Sequence, residues 1–183
     1  MKKVLIGTLI GAASVAVFAA SMNSGLNPGE SVTPFHPNHV SGPLANSTNC
    51  FPCTFQNRPQ VQVWVNGDDL KNIAPIAKTL NTAMGANKNF KGLVVFITDE
   101  KSGPAVAEKL KEVSKQPGLG QVGMAYIDKS NEAIGNYKIN TGSEVKNTVF
   151  VYKNWKVEKK FINLKGDEKG LAELNSAISS ITK

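Results

Sequence analysis

Residues 61–76 read VQVWVNGDDLKNIAPI, and the way this stretch divides decides what the rest of the chain must be. Its first part, VQVWV over 61–65, is rich in β-branched and aromatic residues and predicts a buried strand. Beyond it the period changes. DDLKNIAPIAKTLNTAM sets Leu70, Ile73, Ile76, Ala77, Leu80 and Met84 on one helical face, and Asp68 stands where an N-cap is expected. Pro75 falls inside that helix, where its ring and missing N–H should kink it.

Working downstream, GLVVFIT (92–98) predicts a second strand, and SGPAVAEKLKEVSK a helix capped by Ser102, with Pro104 in its first turn and Val106, Leu110 and Val113 facing inward. VGMAYID (122–128) follows as a third strand and SNEAIGNYKI as a short helix. NTVFVYKN and KVEKKFINL flank a tight turn at Asn154 and Trp155 and read as a hairpin, after which DEKGLAELNSAISSIT closes the chain as a helix. The order β-α-β-α-β-α-β-β-α predicts an α/β fold, with a central mixed, mostly parallel sheet, helices on both faces and an antiparallel edge from the hairpin. Trp64 is expected in the core and Trp155 exposed in its turn.

Upstream, residues 21–60 hold six of the nine prolines and both histidines, with no sustained period, and read as an extended N-terminal arm with turns. The first twenty residues, MKKVLIGTLIGAASVAVFAA, have the two lysines, the apolar stretch and the small residues of a secretory signal peptide, cut after Ala19 or Ser21. The expected division is therefore a signal peptide over 1–20, the arm over 21–60 and a globular domain over 61–183. Its destination is secreted or periplasmic, with no membrane span once the signal is removed. With 41% hydrophobic and 19% charged residues, 183 residues fit one domain plus such extensions. Loss of Lys2 and Lys3 takes the formal charge from +7 to +5, and the remaining lysines are interleaved with acids in VEKK and EKLKEVSK. That pattern is a solvated surface, so nucleic acid is not an expected partner. No nucleotide loop, metalloprotease helix or other cofactor motif is present, and none is expected to be needed.

Three sequence words, in the right order, carry a family resemblance. LKNIAPI (70–76) resembles the first helix of thioredoxins, in which a K-x-I-A-P-I run directly follows the second active-site cysteine. NYKI (136–139) resembles the Y-x-I before the substrate loop, and TVFVYKNWKVEKKF (148–161) resembles the strand, K-N-G turn and returning strand of that family. GESVTPF in the arm is similar to the lead-in of exported redoxin-like members. The resemblance implies a thioredoxin-like fold over 61–183 and thiol-disulfide chemistry on protein or small-thiol substrates.

The departures from that family are informative. The four positions a thioredoxin fills with C-x-x-C are Gly67, Asp68, Asp69 and Leu70, and helix capping accounts for the two carboxylates. Asn147 occupies the place of the cis-proline. A cis bond there would cost about 3–4 kcal/mol, so a trans peptide is expected. By the same resemblance Asn147 and Thr148 are the substrate-binding positions.

The only cysteines are Cys50 and Cys53, in the arm. Seven residues, Thr54 to Gln60, separate them from the strand and span roughly 23 Å, enough for the arm to double back and set a displaced dithiol beside the carboxyl end of the sheet. Pro52 favours a turn that joins the sulfurs, and Arg58 is the nearby fixed cation. By analogy of order Cys50 would attack and Cys53 resolve. A disulfide closing so short a loop stabilises a fold by about 2 kcal/mol or less, a weak reason to keep one. Two other readings stand beside exchange. One is a non-catalytic binding or scaffold domain in which the disulfide is structural. The other is a metal-holding site from His36, His39, Cys50 and Cys53, a donor set that suits zinc or copper.

Overall fold

The computed structural model describes residues 23–183, so the expected signal peptide lies outside the described residues. Six strands form one sheet: β1 (Asn38–Ser41), β2 (Gln60–Val65), β3 (Lys91–Thr98), β4 (Gly123–Asp128), β5 (Asn147–Lys153) and β6 (Lys156–Ile162). They lie side by side in the order β1-β4-β3-β2-β5-β6. Strands β2, β3 and β4 run parallel because a crossover helix joins each to the next, α2 (Leu70–Ala86) between β2 and β3 and α3 (Gly103–Ser114) between β3 and β4. The hairpin β5–β6 is antiparallel to β2, as expected, and β1 closes the opposite edge antiparallel to β4. No helix among the described residues is long and apolar enough to cross a membrane.

Strand alternation divides the core in two. Val61, Val63, Val65, Val94, Val149 and Val151 face one way, against α2, α3 and the closing helix α5 (Glu168–Thr182), which contribute Ile73, Leu80, Leu110, Leu174 and Ile178. Trp64, Leu93, Val95, Phe150 and Tyr152 face the other way. That second face is covered by the short helix α4 (Glu132–Asn136) and by the N-terminal arm, which inserts Leu26, Val32, Phe35, Phe51 and Phe55. The arm is therefore core material, not a loose leader. It contains structure that its proline-rich composition hides: β1, a 3-10 turn (Gly42–Leu44) and helix α1 (Phe51–Phe55).

Close approach fixes the start of the arm. Gly25 has φ +80°, and a Cβ there would stand 2.6 Å from Phe150 Cζ, so only glycine fits between the arm and β5. The hairpin turn has φ 54° at Asn154 and 65° at Trp155, the double left-handed geometry of a type I′ turn. Trp155 departs from the expected exposure. Its carbonyl accepts the Val32 N–H at 2.9 Å and its ring packs against the second core, so it is half-buried.

Candidate functional site

Two places could carry chemistry, and they lie at different parts of the sheet. The first is the turn from β2 into α2. Its N-cap is Asp69, one residue later than expected, with Oδ1 accepting the Lys71 N–H at 2.9 Å. Asp68 is thereby released for a different task. Its Oδ2 accepts from Asn72 Nδ2 at 2.8 Å and from Asn147 Nδ2 at 2.5 Å. Both amides also donate to the Leu164 carbonyl at 3.0 Å, and Asn147 Oδ1 receives the Leu164 N–H at 2.9 Å. Asn72 Oδ1 takes the Gly166 N–H at 2.7 Å. The result is a closed lattice of one carboxylate, two amides and the strand leaving β6. No nucleophile belongs to it.

Asn147 and Thr148 are each 1% exposed, and their side chains are spent inside the chain, Thr148 Oγ1 lying 2.7 Å from Ser24 Oγ. Every described peptide bond is trans, the expected state at Asn147 included. Asn72 was not singled out from sequence, although it stands four residues beyond Asp68, the spacing at which helical side chains meet.

The second place is α1. Cys50 is its N-cap and is joined to Cys53 by a disulfide with a Cα–Cα distance of 5.2 Å, inside the usual range for such bonds. The Cys53 N–H points at Cys50 Sγ, 3.2 Å away, and Pro52 sits in the first turn, where its missing N–H costs nothing. The two cysteines differ in access. Cys50 is 7% exposed, whereas Cys53 is exposed.

Helix α1 does not reach the carboxyl end of the sheet. Phe51 stacks on His39, whose register partner is Ala125 near the start of β4, and Phe55 lies under Lys91, the first residue of β3, with Nζ 5.6 Å from the ring centroid. The doubled-back path to the carboxyl end, which chain length permits, is not the one taken. Burial of Phe51 and Phe55 fastens the helix to the amino-terminal half of the second face, and Gln60 Nε2 holds the Gln56 carbonyl at 2.8 Å. The dithiol and the α2 N-terminus are at different ends of β2.

No family model matches the chain, and no curated protein sequence matches it. Solved structures do. A thioredoxin domain of a thiol-disulfide oxidoreductase from Bacteroides vulgatus is 12% identical, with 86% of this chain and 99% of that one covered and a TM-score of 0.59. AhpC of Mycobacterium tuberculosis is 10% identical, covering 85% and 92%, with a TM-score of 0.60. An uncharacterized conserved protein from Geobacillus kaustophilus is 12% identical, covering 85% and 82%, with a TM-score of 0.63. The fold is thioredoxin-like.

Within this thioredoxin-like frame the two histidines take backbone partners. His36 Nδ1 is 2.9 Å from the Thr48 carbonyl, and His39 Nε2 is 3.0 Å from the Asn49 carbonyl, which makes each of these nitrogens the donor. Burial holds the His39 pKa below its ordinary value, with the Asn49 carbonyl opposing the shift. Its Nδ1 is buried without a partner. The four residues of the alternative metal-holding reading do not converge. Their sulfurs are bonded to each other, and among the described residues no group of three or more His, Cys, Asp or Glu side chains is placed to hold an ion.

A buried polar chain ties α1 to the core. From the Gln56 carbonyl it passes through Gln60, whose Oε1 accepts Tyr152 O–H at 2.7 Å, to Gln62, whose Nε2 donates to that phenol at 2.7 Å. It ends where Trp64 Nε1 donates to Gln62 Oε1 at 3.1 Å. Both glutamines and both rings are 0% exposed, so every donor and acceptor in the chain needs its neighbour. The alternation of Gln60, Gln62 and Trp64 along one face of β2 was the available signal for it.

Proposed function

We propose that the chain performs thiol-disulfide exchange through Cys50 and Cys53, in an oxidising, secreted or periplasmic compartment, on protein or small-thiol partners. The observation that supports this most directly is the asymmetry of the bonded pair: Cys53 is an exposed residue, and Cys50 is a buried one at a helix start with an N–H aimed at its sulfur. A partner thiolate attacks Cys53 Sγ, the Cys50–Cys53 bond breaks, and Cys50 leaves as a thiolate stabilised by the Cys53 N–H. A second partner thiolate then attacks the mixed disulfide and releases Cys53. The partner gains a disulfide, and the pair takes up its two electrons. This assignment exchanges the roles that order alone suggested, because access decides which sulfur a partner meets first. The Bacteroides vulgatus structure, described as a thiol-disulfide oxidoreductase, lends the reading support at the level of fold.

A second reading has its own observation. The closed Asp68–Asn72–Asn147 lattice at the α2 N-terminus, together with the burial of Phe51 and Phe55, suits a scaffold whose disulfide is structural. Equilibration of the full chain against glutathione couples separates the two. A reduction potential above about −250 mV, with a Cys50→Ala variant that traps mixed disulfides on Cys53, supports exchange. A potential below about −300 mV marks a resistant bridge and defeats it.

A further inference from the structure

The rim of the sheet just past α1 is lined with cations from separate parts of the chain. Arg58 follows the helix, Lys88 and Lys91 stand in the turn into β3, and Lys153 ends β5. An open, polar cleft of about 430 Å³ lies at this rim, lined by Arg58, Lys153, Lys183, Gln56, Asn57 and Asn89 among others and by no Asp or Glu side chain, with Lys88 and Lys91 outside its lining.

Among the described residues none of these cations is paired with an Asp or Glu side chain. The two ion pairs there, Lys111–Glu108 and Lys138–Glu30, are elsewhere. Lys91 Nζ donates to the Lys88 carbonyl at 2.7 Å, and Lys153 Nζ makes a long contact of 3.4 Å to a backbone oxygen of Lys183. The Lys91 pKa is held below its usual value by burial first and then by the charges of Arg58 and Lys88, which stand near enough for an anion here to be favoured.

We propose that this rim receives an acidic segment of a partner polypeptide and so presents the partner's own cysteine to Cys53. The inference rests on the exchange reading above and names the class of partner that reading leaves open. A polypeptide fits better than a compact anion because the cations are spread over three chain segments. Between them stand Gln56, Asn57 and Asn89, amides able to pair with the N–H and C=O groups of an extended chain. Gln56 is the C-cap of α1, three residues beyond Cys53, so the chain itself keeps the two within about 10 Å. At about 3.3 Å per residue, acidic positions some two to four residues from the partner's cysteine reach the cations while its sulfur reaches Cys53. The partner's thiolate then forms the bond to Cys53 Sγ and Cys50 departs as the thiolate, with atoms and electrons balanced as above.

The test uses the full oxidised chain and two synthetic peptide dithiols that differ only in Glu or Gln at the flanking positions. At low salt the Glu peptide should reduce the pair about tenfold faster than the Gln peptide, and the ratio should fall toward one as salt is raised. The double substitution Arg58→Gln with Lys91→Gln should collapse the same ratio. Equal rates for the two peptides at low salt overturn the proposal, as does a ratio that survives the double substitution. The wild-type salt series reads the effect even if the variant folds poorly. A cysteine-free Glu-rich peptide, titrated onto the oxidised chain, tests docking without chemistry. If glutathione disulfide displaces it at equal concentration, the site is one for small anions and the polypeptide assignment falls. If neither dithiol peptide reacts, the exchange reading has failed, and the titration alone decides the docking surface.

Discussion

Asn147 Nδ2 lies 2.5 Å from Asp68 Oδ2, so the start of β5 and the start of α2 are joined through the two positions that the sequence resemblance matches to the proline and the dithiol of a thioredoxin. An amide is clasped to a carboxylate there. Removing the amide would leave Asp68 one donor short and the Leu164 N–H and C=O without their Asn147 partners. Asn147→Leu is therefore expected to cost about 2 kcal/mol or more in urea denaturation. A loss under about 0.5 kcal/mol would show the lattice to be idle.

The disulfide and the phenylalanines can be ranked in how firmly they dock α1. Opening a bridge between residues three apart loses about 2 kcal/mol at most by loop entropy. Truncating a fully buried phenylalanine costs about 3–5 kcal/mol. Reduction, or Cys50→Ala with Cys53→Ala, should leave the chain folded with a modest fall in midpoint, while Phe51→Ala should lower it more, both read by chemical denaturation with and without reductant.

Tyr152 sits between two glutamines at a site closed to solvent. Tyr152→Phe keeps the ring but strands Gln60 Oε1 and Gln62 Nε2, at an expected cost of about 1–3 kcal/mol. The double change Tyr152→Phe with Gln62→Leu should recover part of that loss, and a strictly additive cycle would show that the two do not act together.

His39 gives stability a pH dependence of known sign. Its folded pKa is lowered by burial, so below the ordinary value of about 6.5 the unfolded chain binds the proton first. The stability is complete above about 6.5 and is lost as pH falls from there through the folded value. Glu30, Asp99, Asp128 and Glu144, also lowered, act in a more acidic window that begins near 4.5, Glu30 through the Asn27 N–H and Lys138. Replacing His39 by Leu should flatten the upper window in denaturation midpoints taken across pH and leave the lower one in place.

Much of this fold was legible because its long elements carry a clear period. Leu70 through Met84 repeat at helical spacing, and VQVWV and TVFVY are apolar enough to belong to a sheet buried on both faces. Elements of four or five residues carry no such signal. In β1 only His39 is fully buried, and α1 packs by Phe51, Pro52 and Phe55, too short a run to show periodicity. The site was legible in its parts but not in its assembly. Spacing pointed to Cys50 and Cys53 as a pair, whereas the seat of α1 on the amino-terminal half of the sheet depends on what Phe51 and Phe55 find there. The Asp68–Asn147 contact joins residues 79 apart, and no local pattern announces it.

The hydrogen-bonded path that runs from the end of α1 to Trp64 has a practical corollary. Trp64 is 0% exposed beneath Phe35 and Tyr137, while the other indole, Trp155, is half in solvent. Peeling residues 23–60 away would bathe the first fluorophore and uncover its half-buried sibling further. The emission colour of this protein is thus a built-in gauge of whether its amino-terminal wrapping is seated.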